Sequence, residues 1–153
     1  RRFSTFEGEA SMALQFAAEN WREKNPRTES PPGGNPLRQE LEGFFTLATG
    51  ELVRGIVKKR LSGIDTGLLA YEFHVRLAEM IAAACRKVRD RRKRNICALS
   101  GGVFQNRLLT ELCVKQLRAD GFRVLLHSMV PPNDGGIALG QALAATAKLN
   151  HIS

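Results

Sequence analysis

Residues 95–149 constrain the fold more tightly than any other part of the chain. "NICALS" is a short apolar run that stops at the pair Gly101-Gly102. "NRLLTELCVKQLRADG" follows as an amphipathic helix, with Leu108, Leu109, Leu112 and Leu117 apolar and Gly121 as its stop. "FRVLLH" is a second short strand, "PPND" breaks the chain, and "GGIALGQALAATAK" reads as a last helix of small residues. Strand, helix, strand, helix is the rhythm of a parallel sheet with crossover helices. Adjacent parallel strands point the same way, so the loops that follow them emerge at one edge, where open α/β sheets hold ligands.

The preceding two thirds read as mainly helical. Ala10, Leu14, Ala17 and Trp21 recur at helical steps over residues 9–21. "KNPRTESPPGGNP", residues 24–36, carries four of the six prolines and is expected to be an exposed, flexible loop. "LEGFFTLATG" is ambiguous between strand and helix. A short helix over 51–61 stops near Gly63, and Asp65 or Thr66 then caps a longer one. The expected apolar face of that longer helix is Leu69, Phe73, Leu77, Ile81, Ala84 and Val88. His74 lies one position off this face, where a histidine is more often a hydrogen-bonded packing residue than a ligand.

The formal net charge is +8, and much of it comes from "RKVRDRRKR", residues 86–94. Nucleic acid is one reading of such a run. A solvated helix end is the other, since cations suit the negative end of the helix dipole. No aromatics interleave to stack on bases, which disfavours nucleic acid. Three cysteines, Cys85, Cys97 and Cys113, fit no zinc or redox spacing, and a reducing cytoplasm is the simplest setting. No apolar run reaches the roughly 18 residues needed to span a bilayer. The opening "RRFSTFEGEA", without Met, suggests a piece of something longer.

The two sheet-edge loops carry the candidate chemistry. One holds Ser100, Gly101, Gly102, Gln105 and Asn106; the other holds Asn133, Asp134, Gly135 and Gly136. Paired glycines let a phosphate or ribose approach the main chain, and a helix N-terminus offers unpaired N–H groups to an anion. A carboxylate beside them could hold a cation bridging to phosphate. "GGVFQN" lacks the Lys-Ser/Thr of the P-loop and the third glycine of the dinucleotide fingerprint. Asp134 and Asn106 could equally be helix caps, with the glycine pairs simple turns. His127 ends a strand close to the Asp134 loop and is a candidate supporting group. No pair of histidines has metal-binding spacing.

"ALSGGVFQNRLL" and "VPPNDGGIALGQA", with "FEGEASMAL" and "AYEFHVRLAEMI" before them in the same order, resemble the C-terminal end of the hydrogenase maturation carbamoyltransferases, the HypF family. The resemblance spans nearly the whole chain and is poorest in the Pro/Gly loop. It implies a part in making carbamoyl adenylate from carbamoyl phosphate and ATP. The carbamoyl group then passes to the C-terminal cysteine of HypE, in the path to the cyanide of the [NiFe] hydrogenase centre. It also implies a domain similar to the tRNA threonylcarbamoyladenosine synthesis enzymes, in the superfamily of actin, the heat-shock chaperone ATPases and the sugar kinases. There the asparagine of the "GGV..N" motif contacts nucleotide, and an aspartate 28 positions later binds metal, a spacing that Asn106 and Asp134 share.

On that resemblance the whole chain, 1–153, is one α-rich α/β lobe, the second of a two-lobed ATPase domain. Gly101, Gly102 and Asn106 would cradle ATP or carbamoyl adenylate. Asp134 would ligate one divalent metal (iron, zinc or magnesium) together with histidines of the first lobe, which this sequence does not contain. The implied partners are HypE, carbamoyl phosphate, ATP and that first lobe. The rival readings are a non-catalytic binding module using residues 86–94, or a related threonylcarbamoyl-transfer or sugar-kinase lobe.

Overall fold

The computed structural model describes residues 4–27, 37–39 and 45–150. In chain order the elements are α1 (Glu9–Lys24), β1 (Leu37–Gln39), β2 (Phe45–Leu47), α2 (Thr49–Leu61), α3 (Thr66–Arg92), β3 (Ile96–Leu99), α4 (Arg107–Ala119), β4 (Arg123–Leu126) and α5 (Ile137–Asn150). Most of the Pro/Gly stretch expected at 24–36 lies outside the described residues. The ambiguous stretch resolves into both alternatives, because β2 takes Phe45–Leu47 and α2 begins two residues later. β2 pairs antiparallel with β1, Leu37 opposite Leu47 and Gln39 opposite Phe45.

Helix α3 is the spine. Asp65 caps it, its side chain accepting the Leu68 N–H at 2.9 Å. The expected apolar stripe is only part of its buried surface. Leu69 is buried, Phe73, Leu77, Ile81 and Ala84 are half-buried, and Val88 is exposed. The buried positions also include Ala70, Tyr71, His74, Val75, Ala78, Met80, Ala82 and Ala83. The physical reason is that α1, α2 and α4 all pack on this one helix. Alanines let neighbouring helices approach on several sides, so the bulky residues alone mark a flank of the true contact surface.

Two buried clusters flank α3. Ala18, Ala70, Tyr71, Val75 and Leu108 join α1, α3 and α4, while Ala78, Ala82, Leu99, Leu109, Cys113, Leu117 and Phe122 join α3, β3 and α4. The adjacent residues Leu108 and Leu109 point one into each cluster, so α4 serves both. In α1, Ala18 is fully buried and Trp21 stacks on Tyr71 at 5.5 Å between centroids, whereas Ala10, expected on the inner face, is exposed.

The C-terminus of α4 closes as a Schellman motif. The Phe122 N–H donates to Leu117 O at 2.9 Å and the Gly121 N–H to Arg118 O at 3.0 Å. Phe122 and Leu117 then meet in the same buried cluster. The chain is thereby turned straight into β4, which runs parallel to β3 with Ile96 opposite Arg123 and Leu99 opposite Leu126. This is the strand–helix–strand–helix unit expected from the sequence.

Much of the basic run is bound into its own fold. Arg86 pairs with Asp120, Arg89 donates to the Asp120 carbonyl and lies 4.5 Å over the Phe122 ring, and Arg91 lies 5.8 Å over Phe45. Helix α5 is different in kind: its described side chains, Ile137 to Leu149, are all exposed.

Deleting Leu109, which fills the second cluster, should therefore cost far more than deleting a leucine of α5. In urea unfolding, Leu109→Ala is expected to lose roughly 2–5 kcal/mol. Leu139→Ala should stay within about 0.5 kcal/mol of the parent. Equal losses would contradict this core.

Candidate functional site

The loops after β3 and β4 are tied together at one edge of the parallel pair. Gly101 has φ 104 and ψ 156, a conformation that a side chain would strain. In that conformation its N–H donates to the Pro132 carbonyl at 2.7 Å. A second tie joins the Ser100 hydroxyl to His127 Nε2 at 2.9 Å. Beyond them, a Cβ on Gly102 would come within 4.0 Å of the Asn133 side chain. Gly136 is also needed for close approach, because a Cβ there would lie 2.9 Å from the Pro131 carbonyl.

Each loop then tightens into a short 3-10 turn, Gly102–Gln105 and Asp134–Gly136. Asn106 caps α4, its Oδ1 accepting the Leu109 N–H at 2.9 Å. That bond identifies the other side-chain atom as the donor nitrogen. It lies 2.9 Å from His74 Nε2, while His74 Nδ1–H donates to the Ala70 carbonyl at 2.7 Å. The imidazole is 1% exposed. Burial lowers its pKa from 6.5, only partly opposed by the bond to Ala70. His74 is thus a neutral ring with Nδ1 protonated and Nε2 accepting.

Gly101, Gly102 and Asp134 lie on the two loops at the shared edge, as expected. Asn106 follows the same strand, but its side chain turns inward and both of its polar atoms already have partners. The cap expected of Asp134 is made by its neighbour instead, since Asn133 Oδ1 accepts the Gly135 N–H at 3.1 Å. The Asp134 carboxylate is exposed and has no partner among the described residues. No cluster of three or more metal-ligating side chains occurs among the described residues. The bond between Ser100 and His127 was not readable from sequence, because only the pairing of β3 with β4 brings residues 27 apart together.

Cys85 and Cys113 offer no nucleophile. Burial, followed by its contact with Cys97, pushes the Cys85 thiol up to about 12, and burial does the same for Cys113. Cys85 and Cys97 Sγ lie 3.5 Å apart, a contact between helix and strand that spacing did not reveal. A groove of about 330 Å³ between α1, α2 and α3 is lined by Leu14, Val53, Ile56, Val57 and Phe73, with Arg60 and Thr66 as its polar members. It is far poorer in convergent polar groups than the sheet edge, so the edge is the better candidate.

The sequence family described as "Carbamoyltransferase, Kae1-like Domain, second subdomain" matches residues 1–141. The chain belongs to this family. Among curated relatives, the carbamoyltransferase HypF of Rhodobacter capsulatus is 33% identical over 145 residues, covering 95% of this chain and 17% of that protein. The probable carbamoyltransferase HypF of Methanocaldococcus jannaschii is 27% identical, covering 94% and 17%. Among solved structures, a full-length HypF in a phosphate- and nucleotide-bound form matches with a TM-score of 0.84 at 28% identity, over 97% of this chain and 18% of that one. The T. kodakarensis HypF matches with a TM-score of 0.72 at the same identity. The chain therefore spans less than a fifth of the length of these relatives, and both glycine loops fall inside the matched carbamoyltransferase region.

Neutral His74 gives this carbamoyltransferase region a defined acid sensitivity. Its folded pKa lies below the unfolded value of 6.5. Below about pH 6.5 the unfolded chain takes up a proton that the folded chain does not, so this component of stability falls with pH until the folded pKa is passed. Replacing His74 by Gln removes that component. Urea unfolding at about pH 7 and about pH 5 should show a smaller loss on acidification in His74→Gln than in the parent. An unchanged loss would contradict a buried neutral imidazole.

Proposed function

We propose that this chain is the second lobe of a two-lobed, actin-like ATPase domain in a cytoplasmic carbamoyltransferase of hydrogenase maturation. The full protein would make carbamoyl adenylate from carbamoyl phosphate and ATP and pass the carbamoyl group to the C-terminal cysteine of HypE. The observation that carries this reading is the linkage of two glycine-containing loops at one edge of a parallel strand pair, in a chain of the carbamoyltransferase family. That edge is where an α/β sheet holds a nucleotide.

The chain's own residues act by positioning. Gly101 and Gly102 leave room for a phosphate or ribose against the main chain. The Gly101 N–H already serves Pro132, so closeness of approach, rather than that hydrogen bond, is what this glycine contributes. Asn106 has one remaining amide hydrogen to offer a nucleotide, held in direction by its bonds to Leu109 and His74. Orientation of this kind can account for a large part of a transfer barrier. The free carboxylate of Asp134 fits a share in a divalent metal site, with the other donors coming from the partner lobe, since a transition-metal site needs several ligands. A bound cation there would supply Lewis-acid polarisation of a phosphate or carbonyl oxygen.

The decisive substitution is Asp134→Ala in the full-length protein, with HypE carbamoylation read by mass spectrometry. Transfer should fall by about a hundredfold or more, the scale on which losing one preorganised electrostatic contact acts. Thermal unfolding should be unchanged, because the Asp134 side chain caps no described helix; Asn106→Ala, by contrast, should also lose about 1 kcal/mol as a missing cap and roughly 1–3 kcal/mol more for leaving buried His74 Nε2 unpaired. A fully active Asp134→Ala variant would overturn the metal assignment.

A further inference from the structure

We propose that Ser100 and His127 are the proton relay of the transfer step, an inference that rests on the carbamoyl-transfer reading above. The Ser100 hydroxyl and His127 Nε2 lie 2.9 Å apart, within the reach of a nucleophile-and-base pair. Both residues are exposed, at the C-terminal ends of neighbouring parallel strands, and Ser100 immediately precedes the strained Gly101. A serine and a histidine held in contact at the mouth of a ligand edge have more to do than join two loops, because the Gly101–Pro132 bond already joins them.

The chemistry of the reaction calls for such a pair. A thiol that attacks the carbamoyl carbon must lose its proton, and the described part of this chain offers few groups to take it. His74 is buried, with both ring nitrogens engaged. The Cys85 and Cys113 thiols remain protonated in the core. Asp134 is assigned to the cation. His127 is left. It forms no ion pair with a described residue; Arg123 starts β4 and Asp134 lies in the following loop, while α4, which packs on β4, carries Arg107, Glu111, Lys115 and Arg118.

The step balances as follows. In the resting pair the Ser100 O–H donates to His127 Nε2. As sulfur bonds to the carbamoyl carbon, the C–O bond to the adenylate phosphate breaks and AMP leaves with that electron pair. The thiol proton passes to Ser100 Oγ while the Ser100 proton passes to Nε2, giving an imidazolium that returns its proton to water. Ser100 itself forms no covalent bond.

The test uses the full-length protein with carbamoyl adenylate formation, nucleotide affinity and transfer to the acceptor thiol measured separately across pH. His127→Gln and Ser100→Ala are exposed-loop changes, and their thermal unfolding should match the parent. In His127→Gln the transfer kcat should fall by about 10²-fold or more, the usual range for losing a general base. KM for the acceptor and nucleotide affinity should stay within about threefold, and the acid limb of the parent's transfer profile should flatten, since only chemistry is lost. Ser100→Ala should fall in the same direction. A His127→Gln enzyme with near-parental kcat and an intact acid limb would overturn the relay while the carbamoyl-transfer reading stands. A carbamoyl group found on Ser100 would also overturn it. A parent protein that transfers nothing to any thiol would overturn both readings together.

Discussion

The His74 imidazole stands between the helical core and the loop edge, and its hydrogen-bonding state decides how the two fit. One nitrogen donates to the Ala70 carbonyl inside α3, and the other accepts from the Asn106 amide at the start of α4. Both bonds require the neutral ring with its proton on Nδ1, and burial favours that state. Asn106 in turn closes the first turn of α4. The end of the β3 loop is thus referenced to the long buried helix α3 by a continuous polar chain. An unpaired amide or imidazole in that position would carry the full cost of its desolvation, so the geometry is held within narrow limits.

Outside this anchor the edge becomes progressively freer. Gly101 is fixed by Pro132, Ser100 is bonded to His127, and the Asp134 carboxylate points to no described partner. Helix α5 follows, its described side chains exposed. That gradient, from a fixed inner side to outer groups without described partners, supports the proposed half-site. The matched relatives are more than five times as long as this chain.

The strand–helix–strand–helix unit was legible because each of its parts carries a local signal: a short apolar run, a helical stripe, and glycine stops at Gly101 and Gly121. The Asp65 cap was legible for the same reason. The burial of α3 was not, because Ala78, Ala82 and Ala83 give periodicity no weight although three helices converge on that element. The site was half legible. Asn106 and Asp134 could be placed at one sheet edge from topology, but the inward turn of the Asn106 amide depends on His74, a residue 32 positions earlier on another element. Asp134 looked like a cap from its position before a helix; in the structure Asn133 caps the 3-10 turn that precedes α5, and Asp134 is the first residue of that turn. The contact of Ser100 with His127 arises only from strand pairing.

The central claim is that the loops after β3 and β4 form one nucleotide-holding surface. The most direct measurement is an NMR titration of the 15N-labelled chain with AMP at millimolar concentration, a regime suited to half of a cleft. The account predicts that the amides of Gly101, Gly102, Gly135 and Gly136 shift together along one binding curve, with Val53 and Phe73 in the apolar groove unmoved. Shifts confined to that groove, or to one loop without the other, would contradict it, as would the absence of any shift at either loop.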